Sequence, residues 1–178
     1  MEMSNILASA LSSISVTKRS PLSILCIAFL SRSMPCICII TILKKIATEY
    51  KTLYVMGGQG ASLNDYAKNR LINNYSDNQS AERKQKINAA TVDTFAFDCV
   101  GLVKSVLWGW NGTLNHFHGG ANYGSNGIGD MSINNMLSLC SDVSTDFSNI
   151  KPGEFLVCAL SNGTMNELML THHELAPP

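Results

Sequence analysis

Residues 95–110 read FAFDCVGLVKSVLWGW, and the interpretation of the whole chain depends on this stretch. Two aromatic residues at alternate positions precede an apolar run in which Val100, Val103 and Leu107 share one helical face. Asp98 is the natural N-cap of that helix, because its carboxylate can accept hydrogen bonds from the unpaired amides of the first turn. The pattern therefore predicts a packed helix that begins at Cys99.

A cysteine at the first position of a packed helix has two interpretations. The positive end of the helix dipole favours the thiolate, which is the nucleophile of cysteine peptidases. The alternative is that Cys99 is a small apolar residue buried in a core helix. The spacing alone leaves both interpretations open.

Composition excludes few functions. A chain of 178 residues suits one domain with a full core, and its formal net charge of zero gives no reason to expect a nucleic-acid partner. The six cysteines form no CxxC pair and the four histidines no HExxH pair. We therefore expect no metal site and no cofactor.

Several segments resemble the NlpC-type cell-wall peptidases, which are papain-like cysteine hydrolases of bacteria and their phages. Residues 97–104 (FDCVGLVK) with 107–112 (LWGWNG) are similar to the nucleophile segment of that family. Further similar segments follow the family's order, at residues 53–58, 119–123 with 125–127, and 143–147 with 150–154. The resemblance covers about residues 44–157.

This resemblance implies an α+β, papain-like fold, in which a helical layer led by Cys99 faces a small antiparallel sheet that is incomplete. It also implies hydrolysis of peptide bonds in peptidoglycan stem peptides, at the cell wall or outside the cell. Cys99 would be the nucleophile, and Asp98 a helix cap rather than the base.

The glycine- and asparagine-rich segment 119–129 reads as a loop, and loops on a rigid scaffold commonly carry binding residues. Tyr123 and Asn126 are therefore the first candidates for substrate contact. His116 and His118, at the near edge of the loop, could act as bases only if the loop folds back on Cys99. The alternative is that both are solvated.

The chain departs from the family after about residue 157. The family continues with a Gly-His-x-Gly strand that carries the catalytic histidine, whereas this chain contains no Gly-His pair. We interpret it as truncated or altered there, although His172 or His173 could substitute in a tail whose pattern indicates a polar helix. A non-catalytic remnant that binds cell wall is thus the alternative function.

From the extent of the resemblance we divide the chain into three segments: a leader at 1–43, an NlpC-like domain at 44–160 and a divergent tail at 161–178. The apolar segment 22–43 reads as a membrane anchor or signal peptide, as an amphipathic or disordered leader, or as translated sequence upstream of the real start. Arg32 and Pro35 oppose a spanning helix. A small membrane-associated protein is accordingly a third possible function.

Between residues 60 and 90 the pattern predicts two more helices. Ser62 can cap the first, which runs through Ile72. The second runs from Ser80 to Ala90, and the charged residues within it, from Glu82 to Lys86, read as a solvated face.

Overall fold

The computed structural model describes residues 24–28, 36–138, 142–144, 155–159 and 165–170. Residues 42–130 form one compact unit, and the described residues before and after them form a second. Each unit contains its own sheet.

The first unit combines helices with a three-stranded sheet. Helix α1 spans Cys36–Glu49, and its residues from 42 onward belong to this unit. The elements that follow it are β2 (Lys51–Tyr54), β3 (Gln59–Ser62), α2 (Asp65–Asn74), a 3-10 helix (Ser76–Asn78), α3 (Ala81–Ala89), β4 (Thr94–Phe97) and α4 (Cys99–Leu107).

Strand β4 is the middle strand of this sheet. It pairs parallel with β2 and antiparallel with β3, so this sheet is mixed, whereas the resemblance implies an antiparallel sheet. All four of its residues are buried, as in a strand that is covered on both faces. A single residue, Asp98, separates β4 from α4, so the buried strand fixes where α4 begins.

Aromatic and aliphatic side chains pack in the interior of this unit. Trp110 makes edge-on contacts with Tyr50, Phe95 and Phe97, at ring-centroid distances of 4.9, 5.0 and 5.6 Å. A separate aliphatic cluster contains Val55, Leu63, Leu71, Ile72, Ile87 and Ala96. The apolar face predicted for α4 is confirmed, because Val100, Val103 and Leu107 are all buried.

The N-caps explain where the helices begin. Asn64 caps α2 by accepting from the Ala67 amide at 2.9 Å, and Ser80 caps α3 by accepting from the Arg83 amide. The prediction that Ser62 caps α2 is wrong. Ser62 is the last residue of β3, and its hydroxyl accepts from the Asn115 amide at 3.0 Å instead.

The second unit contains a four-stranded sheet. Its elements are β1 (Ile24–Ala28), α5 (Ile133–Leu137), β5 (Asp142–Ser144), β6 (Phe155–Ala159) and β7 (Met165–Leu170). The strand order is β5-β1-β6-β7, and every pairing is antiparallel. Strand β1 lies within the segment that the sequence assigns to a leader.

The helix predicted for the tail is wrong for residues 165–170. These residues form β7, in which Leu168 stands opposite Val157 and Met169 opposite Leu156. Pairing with β6 gives the backbone of β7 its hydrogen-bond partners, and this tertiary contact outweighs the helical preference of Met, Glu and Leu. His172 and His173 lie outside the described residues.

The chain is therefore an α+β protein, as the sequence predicts. The segment boundaries at residues 43 and 160 stay a prediction. Among the residues that the structure describes, no helix combines the length and apolar character needed to cross a membrane.

Candidate active site

Cys99 is the first residue of α4, as predicted. Asp98 is the N-cap, with φ −98° and ψ 179°, and its side chain accepts from the amide of Gly101. The Cys99 side chain is half-buried and is not part of a disulfide. The sulfur therefore lies at the positive end of a buried helix, where the dipole favours its thiolate form.

Asp98 also binds the glycine turn that follows β2. Its second carboxylate oxygen accepts from the Gly57 amide at 2.9 Å, and its own amide donates to the Gly58 carbonyl at 2.9 Å. Burial raises the pKa of Asp98, although the Gly101 and Gly57 amides act in the opposite direction. Asp98 thus joins the glycine turn to the first turn of α4.

Two positions at this junction require glycine. Gly57 has φ +77°, a left-handed conformation that residues with a Cβ rarely adopt. Gly101 lies so close to the turn that an added Cβ would be 1.9 Å from the Gly58 carbonyl oxygen. The close approach of backbone to backbone is what holds the turn beside Cys99.

Tyr54 is a site residue that the sequence interpretation missed. It is the last residue of β2 and stands opposite Phe97 in the parallel pairing with β4, two residues before Cys99. Burial is the main cause that raises the pKa of Tyr54, and charge interactions and a side-chain hydrogen bond with Cys99 add to it. Because that hydrogen bond favours protonated Tyr54, the hydroxyl is the donor and the sulfur the acceptor.

Arg83 supports Tyr54 from helix α3. Its Nη2 donates to the Tyr54 carbonyl oxygen, and its guanidinium carbon lies 5.9 Å from the centroid of the Tyr54 ring. The prediction that Arg83 belongs to a solvated face is therefore wrong, because this side chain is half-buried against β2. Within a charged run, no feature of the sequence distinguishes it from Lys84 or Lys86.

The predicted binding loop is anchored to α4. We call residues 109–130 the glycine-rich loop; six of its glycines have positive φ. Tyr123 is 49% exposed, and its ring lies 4.8 Å from those of both Trp108 and His118. Asn126, at φ 59°, donates through its side-chain amide to the Leu107 carbonyl oxygen at 2.6 Å, so it satisfies the carbonyl of the last residue of α4. Their contact with substrate stays a prediction.

The two loop histidines have different environments. His118 is half-buried between Trp108 and Tyr123, and its ring donates a hydrogen bond to the Gln59 backbone. Burial lowers the pKa of His118, which favours the neutral ring, and the side chain is not fully solvated. His116 is exposed, and its Nδ1 accepts from the Gly120 amide at 3.1 Å.

Two further features concern ligands. No group of three or more His, Cys, Asp or Glu among the described residues could hold a metal ion. A groove of about 180 Å³ lies between β3, α2 and the glycine-rich loop; Ser62, Tyr66 and Arg70 are among its lining residues, and Cys99 is not.

Comparison with protein-family models, with curated proteins and with solved structures finds no match for this chain.

Proposed function

We propose that this chain is a papain-like cysteine peptidase of the NlpC type, which hydrolyses peptide bonds in peptidoglycan stem peptides. The observation that supports this most directly is the arrangement at Cys99. A half-buried thiol lies at the N-terminus of a buried helix and accepts a hydrogen bond from the Tyr54 hydroxyl. Sequence resemblance supplies the substrate class.

The chemistry follows from the groups around the sulfur. The thiolate of Cys99 attacks the scissile carbonyl carbon, and the bond to the nitrogen breaks when the tetrahedral intermediate collapses, which releases the amine and leaves a thioester on Cys99. Water then attacks the thioester, so that the carbon–sulfur bond breaks, the carboxylic acid is released and the thiol is restored. The amide of Cys99 itself, at the first position of α4, can donate to the developing oxyanion. Because its pKa is raised, the Tyr54 hydroxyl stays protonated and remains a donor throughout the neutral range.

The leaving amine needs a proton from a general acid. An imidazole is the usual source in cysteine peptidases. His118 and His116 lie on the glycine-rich loop, and His172 and His173 lie outside the described residues. We propose that one of these four supplies the proton, and single alanine substitutions identify which one.

The test uses the full chain with purified peptidoglycan. Mass spectrometry of the soluble products should show newly formed amino termini in the stem peptides, and the Cys99→Ser variant should release none. Binding to the insoluble cell wall without release would instead support the non-catalytic remnant.

A second measurement tests the nucleophile without a substrate. Alkylation of Cys99 by iodoacetamide is followed from pH 4 to 9 and resolved by peptide mass spectrometry, because the chain has five other cysteines. A midpoint well below the ordinary thiol pKa of about 8.5 supports an activated thiolate. A midpoint at that value, or no reaction, contradicts the catalytic proposal.

A further inference from the structure

Asp130, the last residue of the glycine-rich loop, receives hydrogen bonds from three separate segments. Its Oδ1 accepts from Lys104 Nζ of α4 and from Gln59 Nε2 at 2.9 Å, and its Oδ2 accepts from the Tyr123 hydroxyl at 3.0 Å. One carboxylate thus joins the nucleophile helix, strand β3 and the loop.

The bond between Asp130 and Lys104 is an ion pair at the edge of the interior. The Lys104 side chain is 6% exposed and that of Asp130 is 42% exposed. Burial by itself would raise the pKa of Asp130, but the hydrogen bonds from Lys104 and Gln59 outweigh it, and the pKa is lowered. Removing the carboxylate would leave the buried ammonium without this anion, which is more damaging than losing an exposed pair.

The contact is also connected to the site around Cys99. Gln59 directly follows the glycine turn that binds Asp98. Asp98 itself interacts electrostatically with both Lys104 and Asp130. The side chains of Gln59 and Lys104 thus connect Asp130 with the turn and the helix that meet at Asp98.

We propose that Asp130 is a positioning residue, which holds the glycine-rich loop onto α4 and β3 beside the nucleophile. The Tyr123 hydroxyl is already bound to Asp130, so the exposed ring is the part of Tyr123 that remains to contact a ligand. Contact between the Tyr123 ring and a ligand rests on the proposed function, whereas the role of Asp130 in positioning the loop does not.

Hydrogen exchange of the backbone amides tests the loop directly. The Asn122 amide donates to the Trp108 carbonyl at 2.9 Å and should be protected while the loop is held. Because hydrogen bonds to a charged group are strong, Asp130→Asn should speed its exchange by about tenfold or more. Tyr123→Phe should give a smaller increase, and Asp130→Glu should restore part of the protection.

The matched control is Tyr66→Phe. Tyr66 is 61% exposed, and its ring packs edge-on against that of Phe117, so the variant deletes a hydroxyl without touching Asp130. Its exchange should equal that of the unchanged chain. An Asp130→Asn variant that behaves like this control would overturn the inference.

A double variant tests whether Asp130 positions the glycine-rich loop through the Tyr123 hydroxyl or whether each substitution loosens the loop independently. If the Tyr123 hydroxyl acts through Asp130, adding Tyr123→Phe to Asp130→Asn should change exchange little further. Fully additive effects would overturn the inference.

Should Asp130→Asn fail to fold, the pair Lys104→Met with Asp130→Asn removes both charges and should fold with a faster-exchanging loop. Protection at the unchanged level in that variant would count against the inference. These exchange experiments use no substrate. If the chain hydrolyses no peptidoglycan but its loop protection depends on Asp130, the proposed function is contradicted and the role of Asp130 is still supported.

Discussion

Replacing Gly101 with alanine tests whether close contact with the Gly58 carbonyl holds helix α4 in place. The added Cβ would lie 1.9 Å from that oxygen, whereas real Cβ atoms essentially never come closer than 3.0 Å to a neighbour. The obstacle is backbone rather than the end of a flexible side chain. The turn and the helix would have to move apart by about 1 Å, which a close-packed interior resists.

The expected magnitude is a balance of three effects. Overpacking at a well-packed site costs about 1–3 kcal/mol. Separation also weakens the hydrogen bonds between Asp98 and the turn, each worth about 1 kcal/mol or more. In the opposite direction, alanine is a better helix former than glycine by about 1 kcal/mol. We therefore expect Gly101→Ala to lower the free energy of unfolding by about 2–3 kcal/mol.

Urea unfolding measures this change. Trp108 and Trp110 follow α4 and are only 2% and 4% exposed, so their fluorescence reports the unfolding of this unit. The matched control is Gly129→Ala, where a Cβ would meet nothing within 4 Å and φ is not positive. That control should change stability by less than about 0.5 kcal/mol. If the two variants unfold at the same urea concentration, the close contact does not hold the helix.

Four further predictions follow from the same site. Tyr54→Phe removes a donor to the sulfur, so the midpoint of Cys99 alkylation should rise by about one pH unit; an unchanged midpoint would exclude the hydrogen bond. Arg83→Met should raise that midpoint less, and should add nothing in the Tyr54→Phe background if Arg83 acts only through Tyr54. Asp98→Ala removes the cap and the bond to the turn, so urea unfolding should show a loss of about 1–3 kcal/mol; a loss under 0.5 kcal/mol would contradict the cap's importance. Because the pKa of Asp130 is lowered in the fold, its contribution is complete above the unfolded value of about 3.9 and is lost as pH falls through the folded pKa. Protection factors in the loop should therefore fall below about pH 4 in the unchanged chain but stay flat in Asp130→Asn.

The features that the sequence predicted correctly at the site depend on near neighbours in the chain. The helix start at Cys99 follows from a cap that reaches only from Asp98 to Gly101, and the buried face of α4 follows from its own periodicity. Such features need no knowledge of what packs against them.

Local sequence patterns could not decide between two residues equally suited to cap a helix, or between helix and strand for one segment. Ser62 and Asn64 are both good caps, and strand pairing decided between them by placing Ser62 in β3. Likewise, Met165–Leu170 has residues with helical preference but forms a strand, because β6 offers its backbone a partner.

The remaining parts of the site come from contacts between distant segments. Tyr54 reaches Cys99 only because β2 pairs with β4 in a parallel register that sets Tyr54 opposite Phe97. Asp130 meets Lys104 and Gln59 only because the loop returns to α4 and β3. The sequence by itself thus determined where helix α4 begins, at Cys99, and which residue caps it, since both depend on local backbone chemistry. The tertiary structure decided which side chains surround them, because strand register and loop return are set by packing over the whole unit.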